Sequence, residues 1–214
     1  MKRFALAFIA LTVSLPALAA EVGYYKVVGV PTGEMLNIRA EPNANAQVLE
    51  SLGPTASPVD VLEVQNRNGV EWGRILAADS NGWVAMKFLS PVAVGKLDET
   101  EVPDGLACSG SEPFWSITLS KSNGMSLLFP DQPEMIWPLL GSINATGRNH
   151  RIAVLAGSQG TRAVAMLGRN EKCSDGMSDR DFSWRIDLLV EKPGEQGYPA
   201  AFEGCCLLPV AQQK

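Results

Sequence analysis

Cys205 and Cys206 are chain neighbours, and with Cys108 and Cys173 they are the only cysteines among 214 residues. A bond between neighbours closes a strained eight-membered ring, so each of the pair must find its partner elsewhere. Successive residues of a strand point to opposite faces, so two adjacent cysteines reach partners on the two sides of one strand. Cys108 then joins one of them and Cys173 the other, and the spacing leaves open which goes with which. Either pairing staples the last strand to two earlier regions, closing loops of roughly 30 and 100 residues that each contribute a few kcal/mol. An even count without a Cys-x-x-Cys pair favours disulfides over redox or metal chemistry, provided the chain matures in an oxidising compartment.

The N-terminus supplies that condition. Lys2 and Arg3 precede an apolar run from Phe4 to Leu15, broken only by Thr12 and Ser14, and Pro16 leads into Ala17, Leu18, Ala19 and Ala20. This is the layout of a secretory signal peptide. The apolar core is shorter than the roughly 18 residues a membrane span requires. Residues 1–20 are therefore expected to be cleaved after Ala19 or Ala20, leaving a periplasmic or secreted protein with no transmembrane anchor. No cysteine near that point offers a lipid attachment site. Without Lys2 and Arg3 the chain keeps 16 basic against 23 acidic residues, a formal charge of −7. An acidic chain with no basic cluster argues against a nucleic-acid partner.

The remaining length suits two small domains. Residues 93–104, within the acid-rich run PVAVGKLDETEVPD, lack periodicity and apolar content and read as a solvated linker. Before them, residues 21–92 hold short β-rich runs at Tyr24–Val30, Leu36–Ala40, Gln47–Ser51, Val59–Val64, Glu71–Leu76 and Gly82–Ala85. Hairpins are expected at Gln65–Gly69, through Asn68 and Gly69, and at Asp79–Gly82, through Asn81 and Gly82. Trp83 and Val84 face opposite sides of their strand, so only one fits fully in a small core. Trp83 is expected in the core, and Trp72, which opens a strand after a turn, at an exposed rim. Asn37 and Arg39 share a strand face.

The run LNIRAEPNANAQVLESL (Leu36–Leu52), followed by VDVLEV (Val59–Val64), Glu71 to Ile75 and NGWVAMKFL (Asn81–Leu89), resembles bacterial SH3 domains. The resemblance implies a small barrel that binds peptides or peptidoglycan stem peptides, and it makes Asn37, Arg39, Trp72 and Trp83 its ligand-binding candidates.

Residues 105–214 alternate more plainly. Trp115, Ile117 and Leu119 interleave with Ser116, Thr118 and Ser120, and Trp184, Ile186 and Leu188 with Ser183, Arg185 and Asp187. Each set reads as a strand with one buried and one wet face. A hairpin is expected from Ile152–Ala156 to Thr161–Leu167 across residues 157–160. With Met125–Phe129, Glu134–Trp137 and Ala201–Leu207 the count reaches seven or eight antiparallel strands. The fold class is all-β: an SH3-like barrel, then a disulfide-stapled antiparallel barrel or sandwich, with a lipocalin-like meander as the leading architecture. The segments CSGSEPFW (Cys108–Trp115), CSDGMSD (Cys173–Asp179) and GCC (Gly204–Cys206) together resemble a bacterial envelope family of unassigned biochemistry, marked by a Gly-x-Glu-Pro-Phe-Trp motif and a Cys-terminated last strand.

Glu112 is expected to pair with Arg180 or Arg185 or to cap the turn at Asp175–Ser178. Glu112, Trp115, Asp175, Ser178 and Asp179 are the second domain's ligand-binding candidates. No metal or cofactor is expected: Asp175, Asp179 and Asp181 lack calcium-loop spacing, and a local side-chain turn accounts for them. His150 is the only histidine, no serine has a Gly-x-Ser-x-Gly setting, and GSINATGR (Gly141–Arg148) is not a phosphate loop. The expected function is a non-enzymatic envelope adaptor that recognises wall peptide or an envelope protein. The alternatives are a wall hydrolase using Glu112 with Asp175 or Asp179, and an inhibitor of wall-degrading enzymes.

Overall fold

The computed structural model describes residues 20–147, 150–158, 160–191 and 200–210. Residues 1–19 of the expected signal lie outside them. Among the described residues no helix is long and apolar enough to cross a membrane.

Eight strands build the first domain: β1 (Gly23–Val27), β2 (Leu36–Arg39), β3 (Val48–Leu52), β4 (Val59–Val61), β5 (Glu63–Arg67), β6 (Val70–Leu76), β7 (Asn81–Ala85) and β8 (Leu89–Pro91). They form a five-stranded sheet in the order β3-β2-β7-β6-β5 and a three-stranded sheet in the order β4-β1-β8. Apolar residues at alternate positions meet between the sheets: Leu36 and Ile38 from β2, Ile75 from β6, Val84 from β7, and Val59 and Val61 from β4. The β5–β6 hairpin turns on Asn68 and Gly69, both at positive φ (52° and 79°), as their residue types predict.

The second hairpin departs from expectation. Asn81 and Gly82 are not its turn but the start of β7, paired with Leu76 and Ile75. A Cβ on Gly82 would lie 2.4 Å from Ile38 Cγ2, so this glycine clears room for the core rather than permitting a turn.

The second domain is a meander of β9 (Leu106–Ser111), β10 (Phe114–Ser120), β11 (Gly124–Leu128), β12 (Met135–Trp137), β13 (Leu139–Asn144), β14 (Ile152–Ser158), β15 (Thr161–Ser174), β16 (Asp181–Glu191) and β17 (Ala200–Leu207). These strands form one antiparallel sheet, in which β17 pairs with β9 and the free edges are β12 and β13. Those two edges are continuous in the chain, separated only by Pro138, whose carbonyl accepts a hydrogen bond from Gly157 N–H at 3.2 Å. A barrel rather than a sandwich results. Its interior takes the inward residues of each strand, among them Trp115, Ile117, Leu119, Val154, Ala165, Leu167, Trp184, Ile186 and Leu188. The first expected alternation holds: Trp115, Ile117 and Leu119 are buried while Phe114, Ser116 and Thr118 are exposed. The second holds in part: Trp184, Ile186 and Leu188 are buried, Arg185 is half-buried and Asp187 exposed, but Ser183, expected on the wet face, is buried, because Phe182, Ser183 and Trp184 are all covered where β16 packs against its neighbours.

The Gly-x-Glu-Pro-Phe-Trp segment has a packing explanation. Glu112 and Pro113 join β9 to β10, and Trp115 turns inward against the backbone of β9 and β17. A Cβ on Gly110 would lie 2.3 Å from the Trp115 indole nitrogen, and one on Gly204 would lie 2.1 Å from the Ser109 carbonyl oxygen and 2.9 Å from the indole. Both positions require glycine because indole and neighbouring backbone already occupy the space.

Residues 93–104 do not behave as a solvated linker. Leu97 and Val102 are fully buried in the second barrel's core, and the turn between them is closed by Leu97 N–H to the Val102 carbonyl (2.8 Å) and by Thr100 Oγ1 to the Leu97 carbonyl (2.6 Å). Asp98 accepts hydrogen bonds from the Ser142 backbone N–H and hydroxyl, which hold its carboxyl below the usual range. The acid-rich composition is real, but two apolar residues suffice to anchor a segment once a neighbouring barrel supplies the apolar surface.

Candidate functional site

Asn37 and Arg39 lie on one face of β2, Asn37 exposed and Arg39 half-buried, while Leu36 and Ile38 point into the core. The Arg39 guanidinium donates to the Ala46 carbonyl at 2.8 Å and so holds the loop after β2 in place. Asn37, Arg39 and Trp72 line one groove of 420 Å³ together with Met35, Lys87 and Phe88. A second hollow of 370 Å³, bordered by Glu41, Asn43, Arg67 and Asn68, shares Ala44, Val70 and Trp72 with the first. The two hollows adjoin at these residues.

Both tryptophan assignments are reversed. Trp72 is buried, at 6% exposure, and offers the groove only part of its indole. Trp83 is half-buried and lies outside both hollows, because Val84, wholly buried, occupies the core position of β7. The interior of a barrel this small admits the slimmer valine at that point. Met35 and Val70 are 51% and 41% exposed in the groove, and sequence reasoning missed them. Val70 was accessible to it, since residues i and i+2 of a strand share a face and Val70 precedes Trp72 by two.

The second domain's candidates divide. Glu112 and Asp175 line a polar groove of 460 Å³ with Arg185, Glu203 and the Cys173 and Cys205 positions. Glu112 is exposed at the β9–β10 connection. Neither expected arginine goes to it: Arg180 approaches Asp175 at 3.8 Å, and Arg185 donates to Glu203 at 2.5 Å. The Asp175 carboxylate accepts from Met177 N–H (3.0 Å), Ser178 N–H (2.9 Å) and the Ser178 hydroxyl (3.0 Å). Burial acts to raise its pKa, but these donors and Arg180 outweigh it and the net shift is downward. Ser178 is thus a partner of Asp175 within one turn, and Ser111 ties that turn to β9 through the Asp175 carbonyl (3.3 Å). Asp179 lies elsewhere, bridged to Ser80 of the first domain. Trp115, 4% exposed, belongs to the barrel core.

The cysteines pair as Cys108–Cys206 and Cys173–Cys205. Cys206 faces the barrel interior opposite Cys108 of β9, within the main core. Cys205 meets Cys173 and Phe182 in a separate cluster, against which Leu207 and, from the first domain, Leu76 also press. That cluster lies at a polar seam between the domains. Arg74 donates to Asp181 (2.7 Å) and Glu63 (3.0 Å), Asn81 exchanges hydrogen bonds with the Asp181 backbone (2.7 and 3.1 Å), and Arg169 pairs with Asp60 (3.0 Å).

Residues 34–90 match the family model of the bacterial SH3 domain. The match contains Met35, Asn37, Arg39, Val70, Trp72, Lys87 and Phe88, so the greater part of the groove lies within a domain type that serves as a binding module. No curated protein and no solved structure matches the chain.

Proposed function

We propose that this is an exported, non-enzymatic adaptor of the cell envelope whose SH3 module holds an extended peptide, either a wall stem peptide or a segment of an envelope protein, in the depression around Trp72. The carrying observation is that one hollow combines exposed apolar side chains, Met35 and Val70, with two polar groups, the exposed Asn37 and the anchored Arg39. Extended peptides suit such a site because they present backbone groups and alternate side chains together. Two disulfides and the signal-like N-terminus support an extracytoplasmic setting.

The hydrolase reading has one observation in its favour, the groove shared by Glu112 and Asp175. Asp175 is committed to its own turn and held ionised, which suits it poorly to proton donation.

Titration of the mature chain with soluble peptidoglycan fragments and with a peptide library tests the proposal. Met35→Glu and Val70→Glu, both at exposed positions, are expected to weaken binding about tenfold or more, about 1.4 kcal/mol. Saturable binding unchanged by either substitution would place the ligand elsewhere. Release of muropeptides on incubation with intact peptidoglycan, abolished by Glu112→Gln, would replace the adaptor reading with the hydrolase.

A further inference from the structure

A further concave site lies between the two domains: a cleft of 510 Å³, lined by Tyr24, Val92 and Val94 on one side and His150, Ile152, Arg169 and Trp184 on the other, together with Lys96 and Glu101. Small-molecule sites favour domain junctions, fall within about 300–1,000 Å³, and set a few convergent polar groups among apolar walls.

Two of the polar groups, Tyr24 and Arg169, are held in place. Trp184 Nε1 donates to the Tyr24 hydroxyl at 3.0 Å. The Arg169 guanidinium, itself paired with Asp60, sits 5.5 Å from the centre of the Tyr24 ring. Because the tyrosine oxygen already accepts from the indole, its own hydrogen is what it has to give. Burial, reinforced by the Asp60 charge, pushes the Tyr24 pKa up to about 12, so that hydrogen stays in place at neutral pH. Lys96 pairs with Glu101 at 2.7 Å, but the two side chains are 44% and 69% exposed. Exposed pairs of this kind contribute little, so Lys96 can exchange Glu101 for another carboxylate at small cost. His150, exposed in its turn, adds a further donor.

We infer that the cleft binds a small carboxylate-bearing molecule with an aliphatic body. Tyr24, Lys96 and His150 receive the carboxylate, and Val92, Val94, Ile152 and Trp184 flank the body. This site is independent of the peptide groove and does not rest on the peptide reading.

Calorimetric titration of the mature chain at pH 7 with octanoate, and separately with 1-octanol, tests it. Octanoate is expected to bind saturably with one site per chain, and octanol about tenfold or more weakly. Val94→Trp, which fills the cleft from a half-buried position, is expected to abolish binding. Lys96→Met is expected to weaken octanoate about fivefold while leaving octanol and the melting temperature unchanged. Met35→Glu, in the peptide groove, is expected to leave octanoate binding intact. Three results would each overturn the inference: no saturable octanoate binding, equal affinity for octanol, or binding that persists in a folded Val94→Trp protein.

Discussion

The two domains solve one problem in different ways. A sheet of few strands has edges and a thin core. The first domain leaves its edges open: β3 and β5 bound its larger sheet, and Val48 and Leu49 of β3 stay partly exposed. It has no disulfide, and its groove opens over a side chain that is nine-tenths buried. The second domain joins its last strand to its first, and its two free edges, β12 and β13, run into one another at Pro138, so the sheet is nearly closed. The match to the bacterial SH3 domain lies in the open barrel, and the covalent reinforcement in the nearly closed one.

The strongest way to break this comparison is to remove the staples. Replacing Cys108 and Cys206 by Ala opens a 98-residue loop and is expected to cost the second barrel about 4.7 kcal/mol, while replacing Cys173 and Cys205 opens a 32-residue loop and costs about 3.7 kcal/mol. Denaturant unfolding measures both, and the ligand affinity proposed for the groove around Trp72 should be kept in each. Loss of groove binding in the first variant would show that the open barrel depends on the closed one.

Gly204→Ala is expected to cost about 3 kcal/mol, because its Cβ meets both the Ser109 carbonyl and the Trp115 indole. A melting temperature within a degree of the parent would mean that the indole is not confined as described. Arg169→Met removes one side of the partly buried pair with Asp60 and should destabilise the inter-domain seam by about 2 kcal/mol. Two resolved calorimetric transitions in place of one would be its signature.

The smallest expected effect is at Asp175. Its folded pKa lies below the ordinary 3.8, so as pH falls the unfolded chain takes up the proton first. The stabilisation from this turn is therefore complete above about pH 4 and drains away as pH drops through the folded value. Asp175→Ala is expected to cost about 1–2 kcal/mol at neutral pH and to flatten that acid limb of the stability curve. An unchanged limb would remove Asp175 as its source.

Much of this was legible in the chain before any coordinates. Alternation marked Trp115, Ile117, Leu119, Trp184, Ile186 and Leu188 as inward, because a strand's period of two holds wherever one face is buried. Adjacent Cys205 and Cys206 required two partners on two faces for the same reason. Asn68 and Gly69 announced a turn, since few other residues accept positive φ at consecutive positions. The candidate site was legible in part: Asn37 and Arg39 fell on a common face, and that face does border the groove.

Other features depended on volume and on contacts across long stretches of chain. Whether Cys206 or Cys205 joins Cys108 follows from which of them the register of β17 turns inward. Trp72 and Trp83 exchanged expected places because composition does not state how much room a small barrel has at each layer. Residues 93–104 looked too polar to order, yet Leu97 and Val102 are buried by surface that belongs to another domain. The cleft between the domains could not be anticipated at all, since Tyr24 and Trp184 lie 160 residues apart and meet only when two separately specified barrels dock. Local periodicity determines which side of a strand is wet, and only the packed whole decides which wet surfaces become sites.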